Sequence, residues 1–329
     1  MKIAFFVLQF PNLSQTFILN QITGLLDRGH HVDIFAKRRS NERTAQVDVE
    51  KYQLLDRTHY LEAPANVIVR ILTAIKLVIK HVRRHPTTIL RSLNIAKYGR
   101  EAASLALLHK TVPLLKEYDI IHCHFGPAGN GGALLKELGL RAKLVTTFHG
   151  FDIRLGLQKG GHIYTTLFDR GECFIAISDY NYKNLTKLGL DERKIVRLPV
   201  GIDLSKFSYT SRAESPNPAE PVKILTVARL VEEKGLHYGI QAVAALLKKN
   251  PLLHVKYSIV GDGPLKEDLL RLTDKLMLKD VIHFLGPREQ NGVIEMLHQS
   301  DIFLLPSVAE ALPVCLMEAQ AVGLPVVAT

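Results

Sequence analysis

The sequence predicts an α/β protein built from two doubly wound parallel-sheet domains. Short β-branched segments alternate with longer segments whose apolar residues recur at spacings of three and four, as expected for strands followed by helices. The strand segments are apolar along both faces, which is typical of parallel sheets covered by helices. The alternation is interrupted by the polar, proline-bearing residues 208–221 and then restarts. We therefore predict a first domain over residues 1–207, a linker over 208–221 and a second domain over 222–329.

The strands follow one another in both halves of the chain. Those predicted for the first domain are residues 2–8, 32–36, 119–125, 143–149, 173–178 and 194–199. Those predicted for the second are residues 222–229, 254–261, 281–286, 302–306 and 325–329. The first segment, KIAFFVL, is not followed by a signal-peptide cleavage site, so we interpret it as a strand. Because ligands bind beyond the carboxyl ends of such strands, the residues that follow each strand are the candidates for a site.

The composition narrows the possible functions. The formal net charge is +10, but nine Lys and Arg residues against one acidic residue fall between Asn66 and Lys110. The rest of the chain is close to neutral, which argues against nucleic acid as a partner. The three cysteines are far apart and form no CxxC pair, which fits a reducing cytoplasm better than a disulfide framework.

Residues 66–84 predict a basic amphipathic helix. One helical face carries the apolar residues Ile68, Ile71, Leu72, Ile75, Val78, Ile79 and Val82. The other face carries Thr73, Lys76, Lys80 and Arg83. Such a helix is typical of a surface that lies on an anionic membrane. The alternative is an ordinary domain helix whose apolar face is buried in the core.

Two cations follow the first strand of the second domain. Arg229 and Lys234 lie between a strand and a helix, where they can hold a diphosphate near the helix N-terminus. The alternative is a solvated loop in which Glu232 and Glu233 neutralise them. The next strand ends in GDG at residues 261–263, which favours a structural turn because the rest of a dinucleotide fingerprint is missing.

Two glutamates lie eight positions apart in otherwise apolar surroundings. Glu310 precedes a helix that we predict to begin near Pro313 and to end at Gly323. Glu318 lies inside that helix, where a carboxylate can accept hydrogen bonds from a ribose diol. The alternative for Glu318 is an exposed position on the helix surface.

Histidines mark two strand ends of the first domain. His122 and His124 share one side of a strand. A His-x-His pair can bind zinc, but no third ligand at metal spacing is visible, so we expect no metal site. His149 lies where a strand ends at Gly150, which makes its ring a candidate to contact a ligand. The alternative is a buried histidine with satisfied hydrogen bonds.

Taken together, these segments resemble the retaining glycosyltransferases of family 4. In the second half the resemblance is carried by ARLVEEKG, IVGDGP, HFLG and PSVAEALPVCLMEAQAVGLPVVA, in this order. In the first half it is carried by QFPNLSQTFILNQITGLLDRGH, HCHFGPAGNGG and TTFHGFDIR, which are most similar to the branch that builds bacterial exopolysaccharides of the colanic acid and amylovoran type. The implied fold is GT-B, two facing Rossmann-like domains. The implied reaction moves a hexose from a nucleotide-diphosphate sugar, which we expect to be a UDP-sugar, to a lipid-linked or oligosaccharide acceptor.

The resemblance also implies roles for the residues of the second domain. Arg229 and Lys234 would bind the donor diphosphate, and Glu318 would bind the ribose. Glu310, in the E-x7-E pattern with Glu318, would contact the transferred sugar. The remaining implied contacts to the nucleotide or sugar are the amides of Ala311 and Leu312, the turn at Gly263 and the loop around Arg288, which would border the base.

In the first domain His149 would contact the sugar, and Ser14, Thr16 and His124 are assigned to the acceptor side. Two departures from the family pattern qualify these assignments. Many relatives read E-G-F-P where this chain has Glu310 to Pro313, so a methyl group replaces a glycine hydrogen. Many also carry a glycine pair in the first strand-to-helix loop, where this chain has PNLSQT at residues 11–16.

No metal or other cofactor is expected. Breaking a sugar–diphosphate bond builds negative charge on the leaving group, which something must offset. Enzymes that use a metal for this usually hold it with an Asp-x-Asp pair, and the sequence contains no D-x-D. Two cations and a helix N-terminus can take its place.

Two other classes compete with a glycosyltransferase. A dinucleotide-dependent oxidoreductase is disfavoured by the missing G-x-G-x-x-G. A non-catalytic protein that binds nucleotide sugars would retain the same binding residues. We expect an enzyme that works in the cytoplasm, at the inner face of the cell membrane. In the resembled family further strand–helix units follow the last predicted strand, so we expect roughly 60 residues to be missing and the second domain to be incomplete.

Overall fold

Two parallel β-sheets organise the chain, one in each of two units. The computed structural model describes residues 1–12, 15–40, 47–211 and 220–329. The first unit is Met1–Pro199 and the second is Val200–Thr329. The predicted class, two parallel-sheet α/β domains, is confirmed.

The first unit contains a seven-stranded parallel sheet with the order β3-β2-β1-β4-β5-β6-β7. Its strands are β1 Lys2–Phe10, β2 His31–Arg39, β3 Thr58–Tyr60, β4 Ile120–His124, β5 Lys143–Phe148, β6 Cys173–Ala176 and β7 Ile195–Arg197. Its helices are α1 Thr16–Asp27, α2 Val47–Lys51, α3 Val67–His81, α4 Pro86–Ser92, α5 Ile95–Ala103, α6 Ala106–Thr111, α7 Gly126–Leu138, α8 Phe151–Lys159, α9 Thr165–Arg170 and α10 Asp179–Lys187. Two buried apolar clusters cover the sheet, and a third lies under α3, α4 and α6. The short strand β3 was not predicted.

The glycines of the GPAGNGG segment explain how α7 lies on the sheet. Gly126, Gly129 and Gly132 recur every three residues along one side of this helix. A Cβ atom on any of them would come within 2.6 to 2.7 Å of a neighbouring side chain. A larger residue at any of these positions would force a neighbouring side chain to shift, so the glycines allow the observed close approach of α7 to the elements beside it.

The second unit contains a five-stranded parallel sheet with the order β10-β9-β8-β11-β12. Its strands are β8 Val222–Val227, β9 Val255–Val260, β10 Ile282–Gly286, β11 Ile302–Leu305 and β12 Val326–Ala328. Its helices are α11 Leu236–Lys249, α12 Lys266–Lys275, α13 Gln290–Gln299 and α14 Val314–Ala321. The strand predicted at residues 325–329 is β12, which pairs in parallel with β11.

The division between the units lies earlier than the predicted end of the first domain at residue 207. Phe207 is buried in the core of the second unit, and Thr210 donates its backbone N–H to the carbonyl of Val322. Residues 200–211 therefore pack with the second sheet instead of ending the first domain. Most of the predicted linker, residues 212–219, lies outside the described residues.

Helix α3 corresponds to the predicted basic amphipathic helix, but its apolar residues divide into two groups. Val78 and Val82 pack against the buried cluster that contains Ala74. The other five residues of the predicted apolar face are exposed: Ile68, Ile71, Leu72, Ile75 and Ile79. Thr73, which was predicted on the polar face with the cations, contacts the rest of the unit, because its Oγ1 is 2.9 Å from Nε2 of His109 on α6. The helix therefore rests on the unit by one side and leaves its apolar stripe open.

Candidate active site

A loop between β8 and α11 carries the two predicted diphosphate-binding cations. Arg229 is exposed directly after β8. Lys234 ends a short 3-10 turn, Glu232–Lys234, and Gly235 then adopts the left-handed conformation before α11 begins. The 14-residue helix α11 therefore starts directly after Lys234 and Gly235, and its free backbone N–H groups add to the positive potential at Lys234.

Lys234 forms an ion pair with Glu310 from the loop after β11. Nζ of Lys234 lies in hydrogen-bonding contact with Oε1 of Glu310. Ser307 donates a second hydrogen bond to the same oxygen, over 3.0 Å. The two charged side chains are only 18% and 21% exposed, so the pair is partly shielded from solvent. The structure thus brings together one predicted phosphate-binding cation and the predicted sugar-binding carboxylate.

Three glycines let the loops of this region pack backbone against backbone. A Cβ atom on Gly235 would lie 2.0 Å from the carbonyl oxygen of Pro306. A Cβ atom on Gly261 would lie 1.9 Å from that of Ala228, and one on Gly263 would lie 2.4 Å from that of Leu230. The GDG segment is therefore a structural turn, as its sequence favours. Any contact of Gly263 with a nucleotide would be additional to this packing role.

Glu318 is buried on α14 without a partner. Its side chain is 8% exposed, and no hydrogen bond or ion pair to its carboxylate occurs within residues 220–329 or the other described ranges. Burial raises the pKa of Glu318 to about 7. The predicted alternative, an exposed helical glutamate, is therefore wrong. A desolvated carboxylate without a partner is a candidate for a functional site, because burial disfavours its charged form unless a ligand compensates for the lost solvation.

Cys315 lies among these three charged residues. The charges of Lys234, Glu310 and Glu318 all act on its thiol, so the side chains share one neighbourhood. Burial is the largest influence and raises the pKa of Cys315 to about 12, which keeps the thiol protonated at neutral pH. Cys315 therefore lines the site as an apolar side chain.

The other predicted residues of the second unit lie at different distances from this group. Ala311 and Leu312 directly precede α14, whose N-cap is Pro313, and both are partly exposed. Arg288 is exposed after β10 and lines an open groove of about 1330 Å³ along β10, α12 and α13. Because that groove includes neither Lys234 nor Glu310, the structure does not group Arg288 with them.

In the first unit three histidines form a stack. The ring centroids of His122 and His124 are 4.7 Å apart, and those of His124 and His149 are 5.2 Å apart. Nδ1 of His124 lies 2.9 Å from Nε2 of His149. Burial lowers the pKa of His122 to about 4 and that of His149 to about 3, so these rings are neutral at physiological pH.

The three residues assigned to the acceptor side differ in their exposure to solvent or lie outside the described residues. His124 is 1% exposed, so its ring is not accessible to an acceptor in this structure. Its position on β4, at the carboxyl end of a central strand, explains the burial. Thr16 is partly exposed at the start of α1. Ser14 lies outside the described residues.

Asp152 is a further residue of this region that the sequence analysis did not single out. Its buried carboxylate accepts hydrogen bonds from the backbone N–H groups of Gly126, His149, Gly150 and Ile153, over 2.9 to 3.1 Å. Burial raises the pKa of Asp152, and these four hydrogen bonds oppose the rise. The residue holds the loops after β4 and β5 together and thereby positions His149. The FHGFD segment of the sequence could have indicated this role of Asp152, because an Asp two residues after a glycine turn commonly accepts hydrogen bonds from nearby backbone N–H groups.

No group of three or more His, Cys, Asp or Glu side chains is arranged to hold a metal ion in the part of the chain that the structure describes. The stack of His122, His124 and His149 is therefore not arranged to hold a metal ion either. Its rings lie face to face, and the closest nitrogens of His124 and His149 are 2.9 Å apart with a hydrogen bond between them. That geometry leaves no space for an ion between the two nitrogens.

Comparison with known proteins identifies the class. Residues 14–206 match the family model described as Glycosyltransferase Family 4, and residues 208–329 match the model described as Glycosyl transferases group 1. The chain is therefore a glycosyltransferase. It belongs to glycosyltransferase family 4, as its motifs predict.

Several named relatives are similar over most of this chain. The putative colanic acid biosynthesis glycosyltransferase WcaL of Escherichia coli K12 is 37% identical over 100% of this chain and 82% of its own length. The amylovoran biosynthesis glycosyltransferase AmsK of Erwinia amylovora is 34% identical with the same coverage. The UDP-Gal:alpha-D-GlcNAc-diphosphoundecaprenol alpha-1,3-galactosyltransferase of E. coli is 28% identical over 72% of this chain and 63% of its own length.

Solved structures share the fold. Anabaena HepE in complex with UDP-glucose superimposes with a TM-score of 0.71 at 18% identity, covering 100% of this chain and 80% of that one. Sucrose-phosphate synthase from Thermosynechococcus elongatus gives a TM-score of 0.68 at 18% identity, with 100% and 81% coverage. At this identity the likeness establishes the GT-B fold.

Proposed function

We propose that this chain is a retaining, metal-independent glycosyltransferase that takes a hexose from a UDP-sugar. The observation that carries the proposal is the grouping of Lys234, its ion-paired Glu310 and the buried, unpaired Glu318 near the N-terminus of α11. Membership of family 4 supports the reaction class. One relative, the E. coli galactosyltransferase, is named for its use of UDP-Gal, which supports UDP as the nucleotide. Retention of configuration is proposed on the basis of the family resemblance alone.

The cations offset the charge of the leaving group. As the bond between the sugar and the diphosphate breaks, negative charge builds on the diphosphate oxygens. The guanidinium of Arg229 is free to swing towards that charge, because the residue is exposed and its side chain makes no hydrogen bond or ion pair within the described ranges. Lys234 is already held in place by Glu310. The acceptor hydroxyl oxygen forms the new bond to the sugar as the bond between the sugar and the diphosphate breaks. The products are the glycosylated acceptor, UDP and the proton released from that hydroxyl.

The two glutamates have different tasks. Glu310 contacts the transferred sugar, with the amides of Ala311 and Leu312 beside it. Glu318 accepts hydrogen bonds from the ribose hydroxyls, which would supply the partners that its buried carboxylate lacks. The contacts of His149 with the sugar, and of Gly263 and Arg288 with the nucleotide, are carried over from the family.

The proposal requires no metal ion. Transfer should proceed at an unchanged rate in EDTA, because Arg229, Lys234 and the α11 N-terminus supply the positive potential. A strict dependence of transfer on a divalent cation would contradict this part of the proposal.

We further propose that the acceptor is lipid-linked or an oligosaccharide, that the product is a bacterial exopolysaccharide, and that transfer takes place at the inner face of the cell membrane. The relatives named for colanic acid and amylovoran biosynthesis support the product class. The galactosyltransferase named for a diphosphoundecaprenol-linked substrate supports a lipid-linked acceptor.

The rival to this proposal is a protein that binds nucleotide sugars without turning them over. Thermal-shift measurements with a panel of nucleotide sugars would first identify the donor, because a bound ligand stabilises the folded state by mass action. Radiolabelled donor would then be incubated with the full chain and GlcNAc-diphosphoundecaprenol or an extract of bacterial lipids. Labelled lipid supports the enzyme. Donor binding with no labelled product and no released UDP supports the binding protein.

A further inference from the structure

We propose that α3 is a membrane-docking helix that inserts its exposed apolar stripe into a bilayer of anionic lipid. The stripe consists of Ile68, Ile71, Leu72, Ile75 and Ile79, which recur at helical spacings of three and four. Their exposed fractions lie between 45% and 70%. Five aliphatic side chains open to water along one helix form an apolar surface that needs a partner, because single exposed apolar residues are ordinary but a continuous row is not.

The opposite side of α3 explains why the stripe stays open. Ala74 is buried, and Leu77, Val78 and Val82 pack against the same cluster. Arg70 on this side donates hydrogen bonds to the carbonyls of Pro64 and Ala65, which directly precede the helix. It donates another, over 3.5 Å, to the carbonyl of Ser104 between α5 and α6, which ties the helix to the rest of the unit. The helix is therefore anchored by one side, and the apolar stripe is not required for that anchoring.

The charged residues beside the apolar stripe indicate which kind of partner covers it. Lys76, Lys80 and Arg83 flank the stripe and are exposed. None of them forms an ion pair with any residue in the described part of the chain, whereas Lys97 and Lys110 of the neighbouring helices do. Unpaired cations beside an apolar stripe match the two layers of an anionic membrane surface, its headgroups and its acyl chains. A second copy of the chain fits less well, because a two-fold contact through the stripe would bring these cations together.

The helix would lie in the plane of the membrane. Its 15 residues span roughly 22 Å, which is shorter than the hydrocarbon core of a bilayer. Within the described ranges, no helix is sufficiently long and apolar to cross a membrane. The N-terminus of α3 is capped by the side chain of Asn66, which accepts from the backbone N–H groups of Ile68 and Val69. The helix is thus formed before it meets lipid and loses no folding entropy on docking.

The absence of tryptophan from the sequence permits a direct test. An Ile75→Trp variant carries one tryptophan in the middle of the stripe. Its fluorescence should shift to the blue on mixing with vesicles that contain phosphatidylglycerol, and not with vesicles of phosphatidylcholine alone. The matched control is Leu252→Trp, at a site that is 93% exposed in the second unit and should report no shift.

Charge reversal tests the electrostatic part. Lys76→Glu, Lys80→Glu and Arg83→Glu together should lower the partition constant by at least roughly 100-fold, at about fivefold for each cation removed. The control reverses Lys248, Lys249 and Lys275, which are exposed on α11 and α12 and give the same change in net charge. Its partition constant should change much less.

Three outcomes would overturn the proposal: no blue shift, a shift of equal size with both vesicle compositions, or a concentration-dependent shift without vesicles, which would indicate self-association. The proposal is separable from the transferase reaction. UDP affinity of the charge-reversed variant should equal that of the wild type, so failure to dock and failure to bind donor are distinguishable.

Discussion

Glu318→Gln should make the protein more stable and the donor site weaker. The pKa of Glu318 in the folded protein is about 7, against an ordinary value of 4.5, because burial disfavours its charged form. A raised carboxyl pKa contributes stability that is complete below about pH 4.5 and is lost as the pH rises through about 7. At pH 8 the ionised side chain costs about 3 kcal/mol relative to a neutral one, and at pH 5.5 about 1 kcal/mol.

Glutamine is neutral at every pH and has nearly the same shape. The free energy of unfolding of Glu318→Gln should therefore exceed that of the wild type by about 3 kcal/mol at pH 8, and by about 1 kcal/mol at pH 5.5. The same change removes the charge-assisted hydrogen bond that we propose between Glu318 and the ribose, so UDP-glucose should bind roughly 10- to 100-fold more weakly at pH 8. A substitution that raises the free energy of unfolding but lowers the affinity for the donor is expected at a residue that is retained for binding and not for stability.

Urea unfolding followed by circular dichroism gives the first quantity, and titration calorimetry with UDP-glucose gives the second. A nucleotide sugar suits the pH comparison, because its diphosphate is esterified at both ends and does not titrate in this range. Glu310→Gln is the control, since its carboxylate is already paired with Lys234 and its removal should bring no gain in stability. A Glu318→Gln protein that is less stable at pH 8, or that binds donor as tightly as the wild type, would refute the reasoning.

Four further outcomes follow from the two sites. Glu310→Gln should slow transfer at least about tenfold while UDP affinity stays within about threefold, and equal losses of both would contradict its assignment to the sugar. Lys234→Ala should weaken binding of UDP roughly tenfold or more but leave binding of uridine unchanged, as calorimetry with both ligands can show. Asp152→Ala should lower the free energy of unfolding by about 3 kcal/mol, because four backbone N–H groups lose their acceptor. An unchanged melting temperature would show that Asp152 does not hold the loops after β4 and β5 together. His124→Asn should retain more transfer activity than His124→Leu, because asparagine keeps a polar atom near the position that binds His149; equal rates would show that the hydrogen bond is not needed.

The order of strands could be predicted because parallel strands are apolar on both faces and stand out from the helices between them. The grouping of Lys234 with Glu310 could not, since 76 residues separate them and only the adjacency of β8 and β11 brings their loops together. Alternation along β4 places His122 and His124 on one side, but it does not reveal that Phe5 and Phe17 cover that side and bury His124. For α3 the pattern identified an apolar face, whereas the position of the underlying cluster decided which part of that face stays exposed.

The glycine contacts between the loops that follow β8, β9 and β11 also bear on how this enzyme could acquire a new sugar preference. Gly235, Gly261 and Gly263 place main chain directly against main chain, so no side chain lies between these loops that could be exchanged to widen or narrow the site. Adaptation to another sugar would have to use the neighbouring positions that do carry side chains, such as Val308 and Ala311 after β11. A directed-evolution library would therefore do best to vary those positions and leave the glycines untouched. Most glycine variants are expected to be eliminated for failure to fold before any selection on substrate takes effect.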